Sequence, residues 1–223
     1  ASFRHPDRDK THGRIWRITA KNRPLAKAPD LSKMNAAELC DQLKSDWRYV
    51  RYQAKRRLAD LDKGEVIPVA TAWVEDLDPN DPDLEHHLYE AIGVFESHEV
   101  VNRPLLERLL VAQEPRARAY ATRVAGRWHD RLESPLELLK GSVTDENARV
   151  RLEGIVACSE IRTPDSMAVA ARAASRSMDR FTHFALTQTV HALAPYWRPA
   201  LNKGELTFNS PVDLIYVLRA YGG

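Results

Sequence analysis

The sequence is poor in the residues that build metal clusters, attach haem or bend the backbone. Its 223 residues include only 2 cysteines and 9 glycines. Cys40 and Cys158 are far apart, and neither belongs to a C-x-x-C or C-x-x-C-H motif, which excludes a cysteine metal cluster and covalently attached haem. Because each lies in a helical apolar pattern, we expect two buried free thiols. No apolar run reaches the length of about 18 residues that a membrane helix needs, so we expect no membrane insertion by this chain.

Motifs that would support catalysis are also missing. No Ser-His-Asp order, glycine-rich phosphate loop or metalloprotease helix occurs. His129, Asp130 and Glu133 are close in sequence, but they follow Trp128 in a turn-like stretch that indicates a solvated helix end. We therefore expect no catalytic residue and no cofactor.

The histidines are the remaining candidates for a metal site. His86 and His87 are adjacent, and His98 follows eleven residues after His87. Adjacent residues on a helix point about 100° apart. Two ligands on one helical face need a spacing of three or four residues instead. We expect no metal here, and we expect a structural role in which His87 hydrogen-bonds to the next repeat.

The overall charge is nearly balanced, but it is unevenly distributed. The net charge is +2, yet residues 1–28 contain eight Lys and Arg against two Asp. The basic character therefore belongs to this end, and the rest of the chain carries a net charge of −4. This balance disfavours a nucleic-acid partner, which usually needs an unopposed basic stripe.

From Asn35 onward, apolar residues recur at helical spacing, and helices that begin at prolines or polar caps alternate with partner helices. Small residues in the partner helices recur at intervals of 37, 30, 33 and 31, at Ala54, Ala91, Ala121, Gly154 and Ala185. Such a period is typical of HEAT-type repeats, whereas the tetratricopeptide pattern is missing. An ordinary helical bundle is the alternative. We predict an all-α, HEAT-like α-α superhelix (solenoid) of about five helix pairs over residues 31–201, with a terminal helix at 212–221.

The recurring small residues have a mechanical reason. Two helices approach closely only where a side chain is nearly absent, and one helix pair cannot cover its own apolar stripe, so neighbouring pairs must stack. The positions expected in the core include Trp47, Trp73, Trp128, Phe181, Ala185 and Val190. We expect Trp197 to close the core at the last repeat.

The first 30 residues differ from the rest. The stretch HGRIWRI at residues 12–18 is rich in β-branched and aromatic residues, which indicates a short strand, and a basic, proline-containing linker follows it. A lone strand has no partner in a helical protein. We therefore expect residues 1–30 to be a strand remnant and linker, residues 31–223 to be the HEAT-like repeat domain, and the whole chain to be a segment of a longer protein.

Six arginines lie at equivalent places on successive second helices, at Arg48, Arg51, Arg118, Arg123, Arg149 and Arg151. Equivalent positions of a solenoid line one surface, so the six could form a basic ridge. The ridge could dock an acidic protein face, hold a phosphate backbone, or bridge repeats by pairing with Asp and Glu. We take the six as the predicted protein-binding surface, since the negative charge of the helical region disfavours nucleic acid.

Three stretches carry a family resemblance: LEHHLYEA (84–91) with HEVVN (98–102), PRARA (115–119) with WHDR (128–131), and LAPYW (193–197). Together they resemble the HEAT region of the large membrane-bound dehydrogenases of planctomycete and verrucomicrobial bacteria. In that family a sugar-dehydrogenase-like β-propeller precedes the helical region, and a c-type cytochrome domain follows it. The stretch at 12–18 is similar to the final propeller strand, which would explain why this strand stands alone.

The resemblance implies where this chain lies within a longer protein, but it assigns no reaction to the chain. No propeller active site and no haem motif are present, so we expect neither sugar oxidation nor electron transfer. We predict a non-catalytic scaffold that contacts propeller-like and cytochrome-like domains in an exported, extracytoplasmic dehydrogenase–cytochrome protein. The alternative is a HEAT-like nucleic-acid-binding enzyme of the alkylpurine DNA glycosylase type, in which Trp47 or Trp128 would face the DNA.

Overall fold

The computed structural model is all-α, which confirms the predicted class. It describes residues 27–222 and, before them, 5–7, 9, 11–13, 18–19, 21–22 and 24. Within these residues the helices are α1 Ala36–Asp41, α2 Arg48–Asp60, α3 Lys63–Glu75, α4 Leu84–Ser97, α5 Arg103–Leu110, α6 Pro115–Arg127, α7 Pro135–Ser142, α8 Ala148–Glu160, α9 Pro164–Ala171, α10 Arg180–Ala192, α11 Ala194–Asn202 and α12 Pro211–Gly222. None of the helices in this described part combines the length and apolarity that crossing a membrane requires.

Polar caps and first-turn prolines set where the helices begin. The Asn35 side chain accepts a hydrogen bond from the Glu38 N–H, and the Glu38 carboxylate accepts one from the Asn35 N–H, both at 2.9 Å. These two reciprocal hydrogen bonds form a capping box. Prolines occupy the first turns of α5, α6, α7 and α9. A proline costs no intrahelical hydrogen bond there, so it starts a helix without breaking it.

Consecutive helices form pairs, and the pairs stack in chain order. The two helices of each pair contact each other, from α1 with α2 to α9 with α10. The second helices α2, α4, α6, α8, α10 and α12, here named the second-helix layer, also contact one another in sequence. The first-helix layer consists of α1, α3, α5, α7, α9 and α11. Each pair therefore covers the apolar stripe of its neighbour, as expected for a helical repeat.

Small residues of the second helices lie where neighbouring segments come close. Ala54, Ala91 and Ala121 are buried. A Cβ on Gly154 would lie only 2.9 Å from the Val143 backbone nitrogen at the end of α7. The glycine therefore lets α8 approach its own partner helix, which confirms the predicted role of this small position.

The predicted register of α10 is wrong by one residue at its first two inward positions, whereas the third, Val190, is confirmed. Phe181 is exposed and Ala185 is half-buried, whereas Thr182 and Leu186 are buried together with Val190. The third position of α10 is Thr182, and a leucine takes the place that alanine or glycine takes in the other second helices. Aligning the small residues therefore predicts Ala185 as the inward position, but the large side chain of Leu186 occupies that position at this end of the stack.

Three of the four tryptophans expected in the core are buried there. Trp73, Trp128 and Trp197 are buried. Trp47 is 43% exposed, contrary to the prediction. It stands before the first turn of α2 as the capping residue, so it does not share the apolar stripe of that helix.

Both cysteines are buried free thiols, as predicted. Cys40 lies in α1 and Cys158 lies in α8. Burial raises the pKa of each thiol to about 12, and the charge of Asp41 adds to the effect at Cys40. Neither is a thiolate at neutral pH, so neither is a nucleophile in the folded protein.

Only part of the predicted N-terminal strand can be compared with the structure. Residues 14–17, the centre of that strand, lie outside the described residues. Among the described residues, the first regular element is the 3-10 turn Leu31–Lys33. The Asp30 side chain caps this turn by accepting a hydrogen bond from the Ser32 N–H at 3.1 Å. The helical region therefore starts where the sequence changes from basic linker to helical pattern.

Candidate functional site

The second-helix layer has an open groove where α4, α6 and α8 lie side by side. Its volume is about 910 Å³. Small and apolar residues form part of the lining, at Gly93, Gly126, Val156 and Ala157, and charged residues form another part, at Glu96, Arg123, Arg127 and Glu153. The volume lies in the range of ordinary ligand and peptide clefts. The groove crosses three consecutive repeats, so it exists only because the pairs stack.

Two glycines in the lining of the groove let neighbouring groups pack closely. A Cβ on Gly126 would lie 2.8 Å from the Ala157 Cβ and 2.9 Å from its Cα, so α6 and α8 can pack at this distance only with glycine there. A Cβ on Gly93 would lie 3.3 Å from the Tyr120 hydroxyl. The two glycines are 33 residues apart, which is one repeat. This recurrence is a sequence signal for the groove, although the predicted small positions do not include either glycine.

On the α8 side, the charges of the groove are paired with one another. Arg123 donates to Glu153 Oε1 at 2.7 Å, and Arg149 donates to the same oxygen at 2.9 Å. Burial alone would raise the pKa of Glu153. Hydrogen bonds from the two arginines outweigh burial and hold this pKa below its ordinary value of 4.5. Glu153 is therefore ionised at neutral pH and binds two cations of the predicted ridge.

On the α4 side, Glu96 has a similar role. Its carboxylate accepts a hydrogen bond from the Tyr120 hydroxyl at 2.5 Å and pairs with the Arg127 guanidinium. Burial, together with the hydrogen bond to Glu96, raises the pKa of Tyr120, so this phenol remains a donor. Glu96 and Glu153 thus each pair with an arginine of α6 across the boundary between neighbouring second helices.

Three of the six predicted ridge arginines fix loops instead of facing solvent. Arg51, Arg118 and Arg151 take the fourth position of α2, α6 and α8. Each donates from Nη1 to the carbonyl oxygen six residues before it, at 2.7, 2.8 and 2.7 Å. Those carbonyls lie in the loop that precedes each helix. Each arginine therefore holds the turn that joins the two helices of its own pair.

The same three arginines reach the next repeat. Their acceptors are Glu90 at 3.0 Å, Asp145 at 2.8 Å and the Ser177 carbonyl at 2.8 Å, in chain order. Arg151 is buried, and the Arg51 and Arg118 side chains are 16% and 12% exposed. Their predicted outward position is therefore wrong. Arg51 and Arg118 follow the repeat-bridging alternative that the sequence left open, since each pairs with a carboxylate, whereas Arg151 reaches the next repeat through a backbone carbonyl. A guanidinium has enough donors to serve a loop and a neighbour together.

The other three ridge arginines keep contact with solvent. Arg123 lines the groove, and both Arg123 and Arg149 pair with Glu153. Arg48 is exposed at the first position of α2 and has no carboxylate within ion-pair distance among the described residues. The geometry divides the predicted surface into an internal half and an external half. Protein binding by the external half stays a prediction.

The histidines brace helices. His87 is buried, with Nε2 3.3 Å from the Asp81 carboxylate and its ring 6.4 Å from that of Trp73. These partners lie in its own pair and not in the next repeat, where the sequence placed them. The His98 Nε2 lies 3.0 Å from the Leu58 carbonyl oxygen, which links α4 to α2. Within the part of the chain that the structure describes, no group of three or more His, Cys, Asp or Glu could hold a metal ion.

The stretch that follows α6 is a solvated helix end, as predicted. Asp130 and Glu133 are exposed, and neither carboxylate lines the groove. The His129 Nδ1 lies 2.7 Å from the Gly126 carbonyl oxygen, so its ring closes the end of the helix. These three groups do not converge on a shared cleft.

Comparisons with known proteins identify no family. No family model matches the chain, and no curated protein matches it either. The chain is similar to a crystal structure of an engineered protein from the Northeast Structural Genomics Consortium, with 16% identity, 84% of this chain and 95% of that chain covered, and a TM-score of 0.38. A similarity this low carries no argument about architecture or function.

Proposed function

We propose that this chain is a non-catalytic helical-repeat scaffold of the HEAT kind, and that its second-helix layer docks an adjacent protein domain in the groove between α4, α6 and α8. The observation that carries the proposal is the composition of that groove. Its lining includes the small or apolar residues Gly93, Gly126, Val156 and Ala157, and its carboxylates Glu96 and Glu153 are already paired. What the groove offers a partner is shape and apolar surface.

The groove has features of a protein interface. The centre of such an interface is depleted of free charge, while its rim is polar. Val156 lines the groove and is 42% exposed, so it offers a partner apolar surface that is not yet buried. The groove, about 910 Å³ in volume, has room for side chains of a partner. A partner that fills this space would gain apolar burial of about 25 cal/mol for each Å².

The arginine placements favour protein docking over the glycosylase alternative. Arg51, Arg118 and Arg151 are committed to loops and neighbouring repeats, so they are not available to a phosphate backbone. Trp128, one of the two tryptophans proposed to face DNA, is buried. Binding to nucleic acid needs cations that are free to replace counterions.

The family resemblance suggests the identity of the partners. In an exported dehydrogenase–cytochrome protein, the helical region would lie between a propeller-like domain and a cytochrome-like domain, outside the cytoplasm. The chain would then hold the two domains at a fixed separation and supply no reacting group.

The test is calorimetric titration of the chain with an isolated propeller domain, and with an isolated c-type cytochrome domain, of a dehydrogenase of this family. We expect binding to at least one of them. The groove variant Val156→Arg should weaken it by about tenfold or more, because it places an unpaired charge in the contact. The matched control is Val111→Arg. This valine is 81% exposed beyond the end of α5 and outside the groove, so the affinity should not change.

Two outcomes would contradict the proposal. The first is binding that neither variant alters, or no binding to either domain. The second is binding to duplex DNA that falls steeply as salt is raised, which would favour the glycosylase-type alternative.

A further inference from the structure

The solvent face of α2 combines aromatic rings with cations. Tyr49 and Tyr52 are 64% and 54% exposed, and Arg48 and Arg56 are exposed beside them. Residues three or four positions apart on a helix are neighbours, so these four side chains form one surface, here named the α2 face. The Arg56 guanidinium lies 5.9 Å from the Tyr52 ring centre. Tyrosine and arginine are enriched among the residues that dominate protein-binding energies.

Part of the positive charge of α2 is not neutralised by the protein itself. The helix contains one carboxylate, Asp60, and five cations, which are Arg48, Arg51, Lys55, Arg56 and Arg57. Arg51 and Lys55 share the buried Glu90 carboxylate, at 3.0 and 2.5 Å. Arg48 and Arg56 have no carboxylate within ion-pair distance among the described residues. The α2 face therefore carries positive charge that is available to a partner.

A cavity of about 450 Å³ opens beside the α2 face, between α2, α4 and α6. Arg48, Tyr52 and Lys55 line it from α2. His86 and Tyr89 line it from α4, with their rings stacked at 5.9 Å. The cavity thus extends the cationic and aromatic character of the α2 face into a recess that an acidic side chain can enter.

Most carboxylates of this cavity already have partners. Glu85 accepts hydrogen bonds from two backbone N–H groups of the loop before α6, both at 2.7 Å. Glu114 caps α6 by accepting a hydrogen bond from a backbone N–H at 3.1 Å. Asp83, at the rim, is not engaged in this way. Together with the buried Glu90, these acids would repel an unbroken row of phosphates, but they leave the Arg48 side open to isolated carboxylates.

We infer that the α2 face binds an acidic protein segment, with carboxylates of the segment at Arg48 and Arg56 and its apolar groups on Tyr49 and Tyr52. The inference rests on the proposed function, since it names the partner chemistry of a further surface of the same scaffold. Residues of the α2 face do not line the groove between α4, α6 and α8, so the two sites can be tested separately.

The test measures fluorescence anisotropy of a labelled peptide of repeated Glu and Leu with the full chain. We expect binding that falls about tenfold in the double variant Arg48→Gln with Tyr52→Ala, because it removes both a charge and a ring. The matched control is Arg180→Gln with Phe181→Ala. It removes another exposed arginine–aromatic pair, 4.5 Å apart on α10, and should leave the affinity unchanged. The substituted side chains are all exposed, and circular dichroism would verify that both variants fold.

Each other outcome overturns the inference. These are no binding of the Glu-Leu peptide, equal binding of a matched Gln-Leu peptide, or equal loss in the α10 control. Binding of oligothymidylate in place of the acidic peptide would assign the face to nucleic acid and would also overturn it. The Val156→Arg variant should keep full peptide binding, so failure of the groove proposal can be recognised separately.

Discussion

At the boundary between α6 and α8, Gly126 and Ala157 bring the two helices into direct contact, and Arg123 pairs with Glu153 above them. At the boundary between α2 and α4, the long Lys55 side chain reaches across to the buried Glu90, and a cavity of about 450 Å³ remains between the helices. At the first boundary, small residues let the two helices touch. At the second boundary, a long lysine side chain spans the space between the helices.

The difference shows that two properties of one repeat can vary independently. The size of the residue at a recurring position decides how closely two second helices pack. The local supply of carboxylates decides whether an arginine is used inside the stack or remains for a partner. Arg118 has a carboxylate at hydrogen-bonding distance, and Arg48 does not. Sequence equivalence alone does not reveal this second property.

The sharpest test of that contrast removes one arginine of each kind. Arg118→Met should lower the free energy of unfolding by about 3 kcal/mol, because it leaves the largely buried Asp145 carboxylate without its cation. Arg48→Met is the control and should change it by no more than about 0.5 kcal/mol, since the side chain is exposed and unpaired among the described residues. Urea unfolding followed by circular dichroism measures both. Equal losses would mean that the two arginines do not differ in role.

A second test concerns helix spacing. Gly126→Ala should lower the free energy of unfolding by about 2 kcal/mol, because its Cβ would overlap the Ala157 backbone. The same substitution at Gly141, where nothing lies within 4 Å, should raise it by about 0.5 kcal/mol through better helix propensity. Opposite signs from identical substitutions would be decisive. Stabilisation by both would show that α6 and α8 are not in contact at this point.

The third test uses pH at the tighter boundary. The pKa of Glu153 is held below 4.5 in the folded state, so its stabilising effect is present above that pH and is lost as pH falls through the lowered pKa. Glu153→Gln should therefore cost about 1 kcal/mol at neutral pH, and the difference from the parent chain should shrink in acid. Glu137→Gln, which removes an exposed partner of Lys140, should show little effect at any pH. A constant difference would contradict the assignment.

The smallest expected effect is kinetic. Both thiols should resist alkylation in the folded chain, because both are buried with pKa values near 12. In mild denaturant, Cys40 should react before Cys158. The reason is that α1 has a neighbouring pair on one side among the described helices, whereas α8 has neighbours on both. Mass spectrometry of the labelled peptides measures the order, and earlier reaction of Cys158 would contradict it.

Much of the fold follows from the sequence because periodicity and capping are local. Asn35 with Glu38 and the first-turn prolines fix helix starts before any tertiary contact is known. Ala54, Ala91 and Ala121 repeat at buried positions of successive second helices. The register of α10 was not predictable in this way, since the inward position there is taken by Leu186.

Less of the candidate site follows from the sequence because it depends on long-range partners. Arg51 and Arg48 are three residues apart in one pattern, but Glu90 lies thirty-nine residues after Arg51 in the chain and binds only one of them. The groove depends on Gly93 and Gly126, which recur at the repeat spacing but lie outside the predicted small positions. A pattern reports which face a residue occupies, and a contact across repeats decides what its side chain does.

In the proposed function, the partner binds to the second-helix layer and not to the first-helix layer. Amide hydrogen exchange of the chain, alone and with a bound propeller or cytochrome domain, tests it most directly. The account predicts slower exchange in residues 93–99, 123–129 and 153–160, which line the groove, with α5 and α7 unchanged. Protection confined to α5 and α7, or equal in the two layers, would contradict it.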